Sequence, residues 1–273
     1  MVKINQINLS DFRNFKNLSL SFNANTNIFF GDNGSGKTNI LESISLISKG
    51  RGLRNANILN LIKNNEKSFL LKALLDINNN IYNIKICSEN NDSKFKKIIQ
   101  VNDDKSFESI KFLNSSISFL FFLPEMERLF QSSPSHRRNF IDRLIYSENN
   151  EYSKLINRYK KDIIERNKIL QQNNFDLDWI KHIENQISIN GLKIYQLRNS
   201  QLNKLNRHIK NLNHSNNYNF EINLSVKDDF FTINLNEERY LSELYNSRNL
   251  DRKLGGCVIG PHKSDLIAKI NDE

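Results

Sequence analysis

The sequence predicts an α/β lobe joined to a second lobe that is mostly helical. Three observations support this prediction: short segments of alternating apolar and polar residues near the amino terminus, a glycine-rich loop between a predicted strand and a predicted helix, and helical periodicity from Glu151 to about Leu212. We assign 1–123 and 255–273 to the first lobe and 124–254 to the helical lobe.

Alternation of apolar and polar residues predicts the first two strands of the first lobe, because successive side chains in a strand point to opposite faces of the sheet, and further strands are expected along the lobe. The predicted strands are Val2–Leu9, Leu18–Phe22, Asn27–Phe30, Phe69–Asp76, Ile81–Cys87, Ile98–Val101 and Ile117–Leu123. Lys37–Ser48 instead carries apolar residues at helical spacing, which predicts a helix directly after the glycine-rich loop.

Helical spacing dominates the second lobe, where we predict two long helices between Glu151 and Leu212. Asp178 is the expected amino-terminal cap of the second helix. Gly191 lies inside that helix and costs about 1 kcal/mol relative to Ala, so a break at this position is an open alternative. Strand patterns return at Tyr218–Val226 and Leu266–Ile270.

Composition narrows the class of protein. The chain has 273 residues, 38% of them hydrophobic, and a net charge of +9, which describes a globular protein that favours an anionic partner. Its two cysteines, Cys87 and Cys257, have no metal-like spacing, so we expect a reducing, cytoplasmic environment. The longest apolar run, Ile117–Leu123, is too short to cross a bilayer, and no signal-peptide pattern opens the sequence, so we expect no membrane partner.

The glycine-rich loop fits the phosphate-loop pattern G-x-x-x-x-G-K-[ST] at every position. Glycines let the backbone turn so that N–H groups face a phosphate, and the helix that follows presents its positive end to the same place. We expect Lys37 to reach the β- and γ-phosphates of ATP and the Thr38 hydroxyl to bind Mg²⁺. The predicted nucleotide-binding residues are Gly31, Asp32, Asn33, Gly34, Ser35, Gly36, Lys37 and Thr38.

The loop between the first two predicted strands, Asp11–Phe15, contains a further candidate. In P-loop proteins that resemble SMC and Rad50 heads, a basic residue in this early loop reaches the nucleotide phosphates. If this chain resembles those proteins, Arg13 is the residue that reaches the nucleotide phosphates. A solvated arginine in a hairpin loop is the alternative, and the sequence leaves both open.

Three more segments, taken in order, make the resemblance specific. They are Lys49–Arg54 after the predicted P-loop helix, Pro124–Asp142 with its Pro-Glu and Arg-Arg-x-Phe-Ile-Asp elements, and Gly260–Leu266 with Gly-Pro-His-Lys-Ser-Asp-Leu. This combination resembles the RecF family of bacterial DNA repair proteins across the whole chain. One departure is Ser132, where the family usually has Gly.

The resemblance implies a fold and a function. The fold is an ABC-type P-loop ATPase head, similar to those of SMC and Rad50 proteins, with a smaller, mostly helical second lobe. Members bind ATP, dimerise around it, bind single- and double-stranded DNA at gaps, and work with RecO and RecR to load RecA in recombinational repair and the SOS response. A non-hydrolysing P-loop scaffold, or another SMC- or Rad50-like ATPase, is the alternative. A metabolic P-loop kinase should show a small-molecule pocket motif, and we find none.

Two family motifs are not found after the Gly-Pro-His segment: a Leu-Ser-x-Gly-Gln-type signature and an apolar strand that ends in two acidic residues. We therefore expect a partial sequence and assign no catalytic residue. A composite ATPase site needs both motifs to cap the γ-phosphate and to orient water. We expect this chain alone neither to hydrolyse ATP nor to form the ATP-bridged homodimer.

Basic residues without acidic neighbours suggest a DNA surface, since phosphate neutralisation requires clustered positive charge. A solvated helix face is the alternative. The candidates in the helical lobe are Lys193, Arg198, Lys204, Arg207 and Lys210. Arg51 and Arg54, just beyond the P-loop helix, are candidates to bind either DNA or nucleotide.

The family segments contain further polar residues with roles of their own. We expect Arg137 and Arg138 to pair internally with Asp142 or Glu125. The alternatives for His262, Lys263 and Asp265 are a small polar network near the nucleotide and a structural turn fixed by Gly260 and Pro261. No partner can be identified for His136.

Overall fold

The structure, a computed structural model, describes residues 2–48, 50, 52–54, 56–91, 94–149, 151–172, 174–216, 220–230 and 235–271. The chain forms two compact units, Met1–Phe121 and Phe122–Glu273.

The first unit is built on a five-stranded sheet in which each neighbouring pair of strands is antiparallel. Its order is β2-β1-β3-β4-β5, and α1, a short 3-10 helix and α2 complete the unit. The bounds are β1 (Val2–Phe12), β2 (Phe15–Ser21), α1 (Lys37–Ser45), the 3-10 helix (Ile58–Leu61), β3 (Leu70–Ile77), β4 (Asn80–Asn91), β5 (Lys94–Val101) and α2 (Phe107–Ser116).

The core of this unit lies on one face of the sheet. The register of β1 and β3 places Ile7 opposite Ala73 and Leu9 opposite Leu71, and all four side chains are buried. Leu46, directly after α1, packs into the same core. Strands β1 to β5 confirm five of the predicted strands.

Two predicted strands of the first lobe are wrong. Asn27–Phe30 forms no strand, and its Ile28 and Phe30 side chains are 82% and 93% exposed. Ile117–Leu123 follows α2 and contains the boundary between the two units, and it also forms no strand. An apolar run needs a hydrogen-bonding neighbour to become a strand, and among the described residues neither segment has one.

In the described part of the second unit, four helices pack against a two-stranded antiparallel sheet. Tyr152, Tyr159, Tyr195 and Tyr240 are fully buried in its core. No helix in the described part of the chain is both long enough and apolar enough to cross a membrane. The elements are a 3-10 helix (Pro124–Gln131), α3 (Pro134–Glu148), α4 (Glu151–Leu170), α5 (Leu177–Asn216), β6 (Ile222–Lys227), α6 (Glu237–Leu254) and β7 (Asp265–Ile270).

Helix α5 is continuous over 40 residues, so the break considered at Gly191 does not occur. Gly191 is buried, and a Cβ atom at this position would lie 2.7 Å from Cε1 of Tyr240. Glycine is needed there for close packing. The prediction that Asp178 caps α5 is wrong, because the capping residue is Asp176. Its Oδ1 accepts from the backbone N–H groups of Asp178 and Trp179 at 2.8 and 3.1 Å.

The assignment of 255–273 to the first lobe is also corrected. As far as the structure describes it, this segment belongs to the second unit. Strand β7 takes its backbone partners from β6, with Ile222 opposite Ile270 and Lys227 opposite Asp265, and it packs against α3. The predicted boundary near 124 agrees with the start of the second unit at Phe122.

Candidate functional site

The phosphate loop connects the exposed 27–30 segment to helix α1. Gly36, the last residue before the helix, has φ 104°, a conformation that favours glycine. A Cβ atom at Gly36 would lie 2.4 Å from Cζ of Phe15 and 2.7 Å from Nδ2 of Asn14. The turn of the first hairpin therefore lies directly against the phosphate loop, and the close approach requires glycine.

The amino end of α1 is free to bind an anion. It has no side-chain cap and no acidic residue in its first turn. By contrast, α2 and α6 are capped by Ser106 and Asn236 and carry acids in their first turns. The first N–H groups of α1 therefore keep their hydrogen-bonding capacity, and the helix dipole favours negative charge beside them.

Lys37 and Thr38 supply side-chain groups at the same end of α1. Lys37 Nζ donates to the carbonyl oxygens of Gly31 and Asp32 at 2.5 and 2.7 Å. An ammonium group has three donors, so one remains for a ligand. The Thr38 residue is exposed. One ammonium, one hydroxyl and several backbone N–H groups form a donor set that fits a polyphosphate and its Mg²⁺ ion.

Arg13 lies in the two-residue turn between β1 and β2, where its φ is 53°. Its backbone N–H donates to the Leu61 carbonyl at 2.8 Å, which fixes this turn. The next residue, Asn14, donates to the Ser35 carbonyl at 3.4 Å and accepts from Asn39 at 2.8 Å. These contacts place the Arg13 turn beside both the phosphate loop and α1.

Glu42 on α1 is a residue that the sequence reasoning missed. Its side chain is fully buried, and its two oxygens accept from Nε and Nη2 of Arg13 at 2.8 and 2.7 Å. Nη1 of Arg54 lies 3.5 Å from Glu42 and 3.1 Å from Oδ1 of Asn39. Arg13 is therefore held by an ion pair and is not simply solvated. No local pattern marked Glu42, because the other buried residues of α1 include Ser43 and Ser45 as well as Ile40, and its partner Arg13 is 29 positions away.

Lys97 on β5 organises the chain that follows α1. Its Nζ donates to the carbonyl oxygens of Leu46, Ser48 and Gly50 at 3.1, 3.2 and 2.7 Å. Burial lowers the pKa of Lys97 to about 8, so the side chain is an ammonium at neutral pH. It anchors the segment that leads to Arg54. The candidate Arg51 lies outside the described residues.

Arg198 is not a surface residue, and its prediction as a DNA contact is wrong. The residue is 4% exposed, and its Nε and Nη2 each donate to Asp142 at 2.9 Å. Nη1 donates to the Pro261 carbonyl at 2.5 Å and to Ser264 Oγ at 3.1 Å. Every side-chain nitrogen is engaged inside the second unit, so none remains for a phosphate.

The other basic candidates of α5 are exposed. Lys204 pairs with Glu148 on α3 at 2.6 Å, and both side chains are about half exposed. Because an exposed pair of this kind contributes little, Lys204 can exchange Glu148 for another anion. The exposed candidates are Lys193, Lys204, Arg207 and Lys210.

The two family segments of the second unit meet through ion pairs other than those expected. Arg137 pairs with both oxygens of Asp265 at 2.7 Å, and its expected partner Asp142 binds Arg198. Arg138 donates to the Ser264 carbonyl at 2.6 Å. The side chain of the other expected partner, Glu125, lies outside the described residues.

The histidines of these segments have defined partners. Nδ1 of His262 lies 2.8 Å from the Tyr159 hydroxyl, and Nε2 lies 2.9 Å from the Cys257 carbonyl. Burial lowers the pKa of His262, which favours the neutral ring. His262 thus belongs to the core of the second unit and does not bond to Lys263 or Asp265, which agrees with the structural-turn alternative and not with the polar network. Nδ1 of His136 lies 2.8 Å from Ser133 Oγ.

Known proteins similar to the chain share this architecture. The family described as the RecF/RecN/SMC N terminal domain matches residues 3–119. The chain is 34% identical to the DNA replication and repair protein RecF of Rickettsia conorii, over 97% of this chain and 73% of that protein. Its identity to RecF of Rickettsia typhi is 33%, over the same shares of both chains.

Solved structures agree with the sequence relatives. A structure of the recombination mediator protein RecF with ATP, from the RecFOR pathway, has a TM-score of 0.84 and 25% identity over 100% of this chain and 75% of that one. A RecF structure with ATPrS has a TM-score of 0.85 and 24% identity over 100% and 74%.

Proposed function

The chain belongs to the RecF family of DNA replication and repair proteins, and we propose that it binds ATP with Mg²⁺ at Gly31–Thr38. Its fold is that of an ABC-type P-loop ATPase head with mixed helix and sheet. One observation carries the proposal. The amino end of α1 has no side-chain cap and no acidic residue in its first turn, and the Lys37 ammonium at this end has one N–H group that is not used in a hydrogen bond. Thr38 is the expected Mg²⁺ ligand.

Replacement of Lys37 by alanine tests this proposal. The change removes a charge-assisted contact to the phosphates, so Lys37→Ala should weaken ATP binding about 10- to 100-fold in a calorimetric titration with Mg²⁺ present. Lys105→Ala, at an exposed lysine of the same unit, serves as the control. Equal affinity of the Lys37 variant and the parent would show that the loop does not bind the nucleotide.

Arg13 is proposed as a second contact to the nucleotide phosphates. Since Arg13 also neutralises buried Glu42, a loss of affinity in Arg13→Ala has two possible origins. The double variant Arg13→Ala/Glu42→Ala removes both members of the ion pair and leaves no buried charge unpaired. If Arg13 binds phosphate, the double variant regains stability but keeps the weak ATP affinity. If both properties recover together, the role of Arg13 is structural.

We also propose that the protein acts on DNA in the cytoplasm. The exposed basic residues of α5 support contact with the backbone of single- and double-stranded DNA. Family membership supports cooperation with RecR and RecO in loading RecA, within recombinational repair and the SOS response. The ATP-dependent homodimer is proposed for the full-length family, not for this chain alone. The DNA surface is tested by the charge reversals described in the Discussion. The candidate residues are Lys193, Lys204, Arg207 and Lys210, with Arg54 in the first unit.

A further inference from the structure

A cavity in the second unit is separate from the phosphate loop. Its volume is about 170 Å³, which is many times the space needed for one water molecule. Helices α3, α4 and α5 and the Gly260–Leu266 segment surround it. Both family segments of this unit therefore contribute to its wall, although neither has a part in the proposed ATP site. The wall residues that matter here are Ser135, Arg138, Asn139, Asp142, Lys160 and Arg198.

The charges around this cavity do not balance. The guanidinium of Arg137 is paired with both oxygens of Asp265, and that of Arg198 with both oxygens of Asp142. Arg138 has no carboxylate partner among the described side chains and donates only to the Ser264 carbonyl through Nη1. Three guanidinium groups thus share two carboxylates. Nε and Nη2 of Arg138 retain their hydrogen-bonding capacity.

The remaining groups described in the cavity wall present no unpaired negative charge that would repel an anion. Asp142 is the acidic member of the wall, and its oxygens already accept from Arg198 and from the Tyr152 hydroxyl at 2.6 Å. Both ring nitrogens of His262 are engaged with Tyr159 and Cys257. Lys160 on α4 is exposed and forms no ion pair among the described residues, so its ammonium is available at the cavity mouth.

Helix α3 adds to the same effect. Ser135, Arg138 and Asn139 lie in its first two turns, and its amino end has no side-chain cap and no acidic residue in the first turn. The helix dipole therefore adds positive potential on the side where Arg138 stands. The planar fork of a guanidinium matches two oxygens of a tetrahedral phosphate.

We propose that this cavity is a second phosphate-binding site, in which Arg138 binds the phosphate oxygens through its fork and Lys160 closes the mouth. The phosphate belongs either to a DNA backbone or to a free ion. Both present the same oxygens to Arg138. The site is independent of the P-loop, because every residue that forms it lies in the second unit.

The test uses the full chain with Lys37→Ala in the background, which removes the phosphate loop as a competing site. Inorganic phosphate is titrated calorimetrically at constant ionic strength. We expect saturable binding that Arg138→Gln weakens at least about tenfold, the loss of a charge-assisted contact. Lys160→Gln should weaken it by a smaller factor. Lys161→Gln, at the adjacent exposed lysine that does not line the cavity, should leave it unchanged.

Several outcomes would overturn the proposal. The first is that phosphate does not bind saturably in the Lys37→Ala background. The second is that Lys160→Gln leaves the phosphate affinity unchanged. The third is that Lys160→Gln and Lys161→Gln lower the affinity equally, which would indicate a general charge effect. Lys160→Gln alters an exposed side chain, so this comparison remains decisive if Arg138→Gln fails to fold. Failure of ATP binding in the parent would not affect these results.

A short oligonucleotide identifies the source of the phosphate. If the site takes a DNA phosphate, the oligonucleotide competes with inorganic phosphate, and Lys160→Gln lowers the salt slope of DNA binding by about one. If the site takes a free ion, the oligonucleotide does not compete and the slope is unchanged. Either result supports the proposal only when phosphate binding itself depends on Arg138 and Lys160.

Discussion

Arg198 on α5 binds both carboxylate oxygens of Asp142 on α3, with two nitrogen–oxygen distances of 2.9 Å. In the sequence, Arg198 belongs to an acid-free basic run. In the fold it faces inward, and its third nitrogen binds the Gly260–Leu266 segment through Pro261 and Ser264. The Arg198 side chain thus connects α3 and α5 with the Gly260–Leu266 segment. Of the basic residues in the run, Arg198 lies in the core and the others lie on the surface.

The first prediction is that Arg198→Ala destabilises the protein strongly. The change leaves Asp142 without its cation in a largely buried position, which typically costs about 3–5 kcal/mol. Urea unfolding should show this loss, whereas Lys193→Ala, at an exposed lysine of the same helix, should change stability by less than about 0.5 kcal/mol. A stable Arg198 variant that loses only DNA affinity would contradict the structural role.

The second prediction concerns the exposed charges of α5. Reversal of Lys204, Arg207 and Lys210 to Glu should weaken DNA binding and lower its salt slope by about one for each phosphate contact removed. The measurement is a fluorescence titration at several salt concentrations. An unchanged slope would mean that these side chains are only solvated.

Glu148 provides a control of opposite sign for that experiment. Its carboxylate lies 2.6 Å from Lys204, and the hydrogen bond from Lys204 lowers the pKa of Glu148. Glu148→Gln frees the Lys204 ammonium, so it should strengthen DNA binding modestly. If DNA binding weakens both in Glu148→Gln and in the charge-reversal variant, the cause is damage to the fold and not the loss of a DNA contact.

A third prediction links stability to pH through Asp265. The hydrogen bond from Arg137 holds the pKa of Asp265 below its usual value of 3.8. A carboxyl group with a lowered folded-state pKa stabilises the protein above its unfolded-state pKa, and this stability is lost as the pH falls through the folded-state value. Asp265→Asn should therefore reduce the free energy of unfolding by about 2 kcal/mol at neutral pH.

The pH dependence separates this effect from a simple loss of packing. The difference between Asp265→Asn and the parent should shrink as the pH falls below 3.8, where the unfolded parent takes up a proton, and should vanish below the lower folded-state pKa, where the folded parent also loses its carboxylate. Asp229→Asn, at an exposed residue of the same unit with no ion pair among the described side chains, is the matched surface control for the loss of one carboxylate. A difference that is constant with pH would contradict the ion-pair explanation.

The sequence predicted the parts of the molecule that depend on local pattern. The pattern of apolar residues located β1 to β5, and a contiguous motif located the phosphate loop. The burial of Arg198 and the partners of Glu42 depend on distant segments: Arg13 and Glu42 are 29 positions apart, and Arg137 and Asp265 are 128 apart. Periodicity cannot distinguish a charge on a solvated face from one that meets its counter-ion only in the fold.

The segments wrongly predicted as strands have the same explanation. Ile28 and Phe30 are strongly apolar, yet they are largely exposed and unpaired with any described strand. Hydrophobicity indicates the preference of a segment for burial, while pairing depends on whether a neighbouring strand is present. Gly191 illustrates the opposite case, since its low helix propensity suggested a break and tertiary packing retained a continuous helix.

The last prediction is that Gly191→Ala destabilises the protein, although alanine is the better helix former. Helix propensity alone would give a gain of about 1 kcal/mol. The new methyl group, however, would lie 2.7 Å from Cε1 of Tyr240 and 3.1 Å from Cε2 of Tyr159. Both tyrosine hydroxyls also lie close to the Gly260 backbone, where a Cβ atom would come within 2.2 Å of the Tyr240 hydroxyl and 2.4 Å of the Tyr159 hydroxyl, so the two side chains have little room to shift.

Overpacking of this kind typically costs about 1–3 kcal/mol, which matches or exceeds the gain in propensity. Gly191→Ala should therefore unfold at a lower urea concentration than the parent. Ser200→Ala is the matched control: it lies on an exposed face of the same helix, so only propensity acts, and stability should rise slightly. If Gly191→Ala were stabilised as much as Ser200→Ala, the two tyrosine rings would not be confined between Gly191 and Gly260, and the continuity of α5 would need another cause.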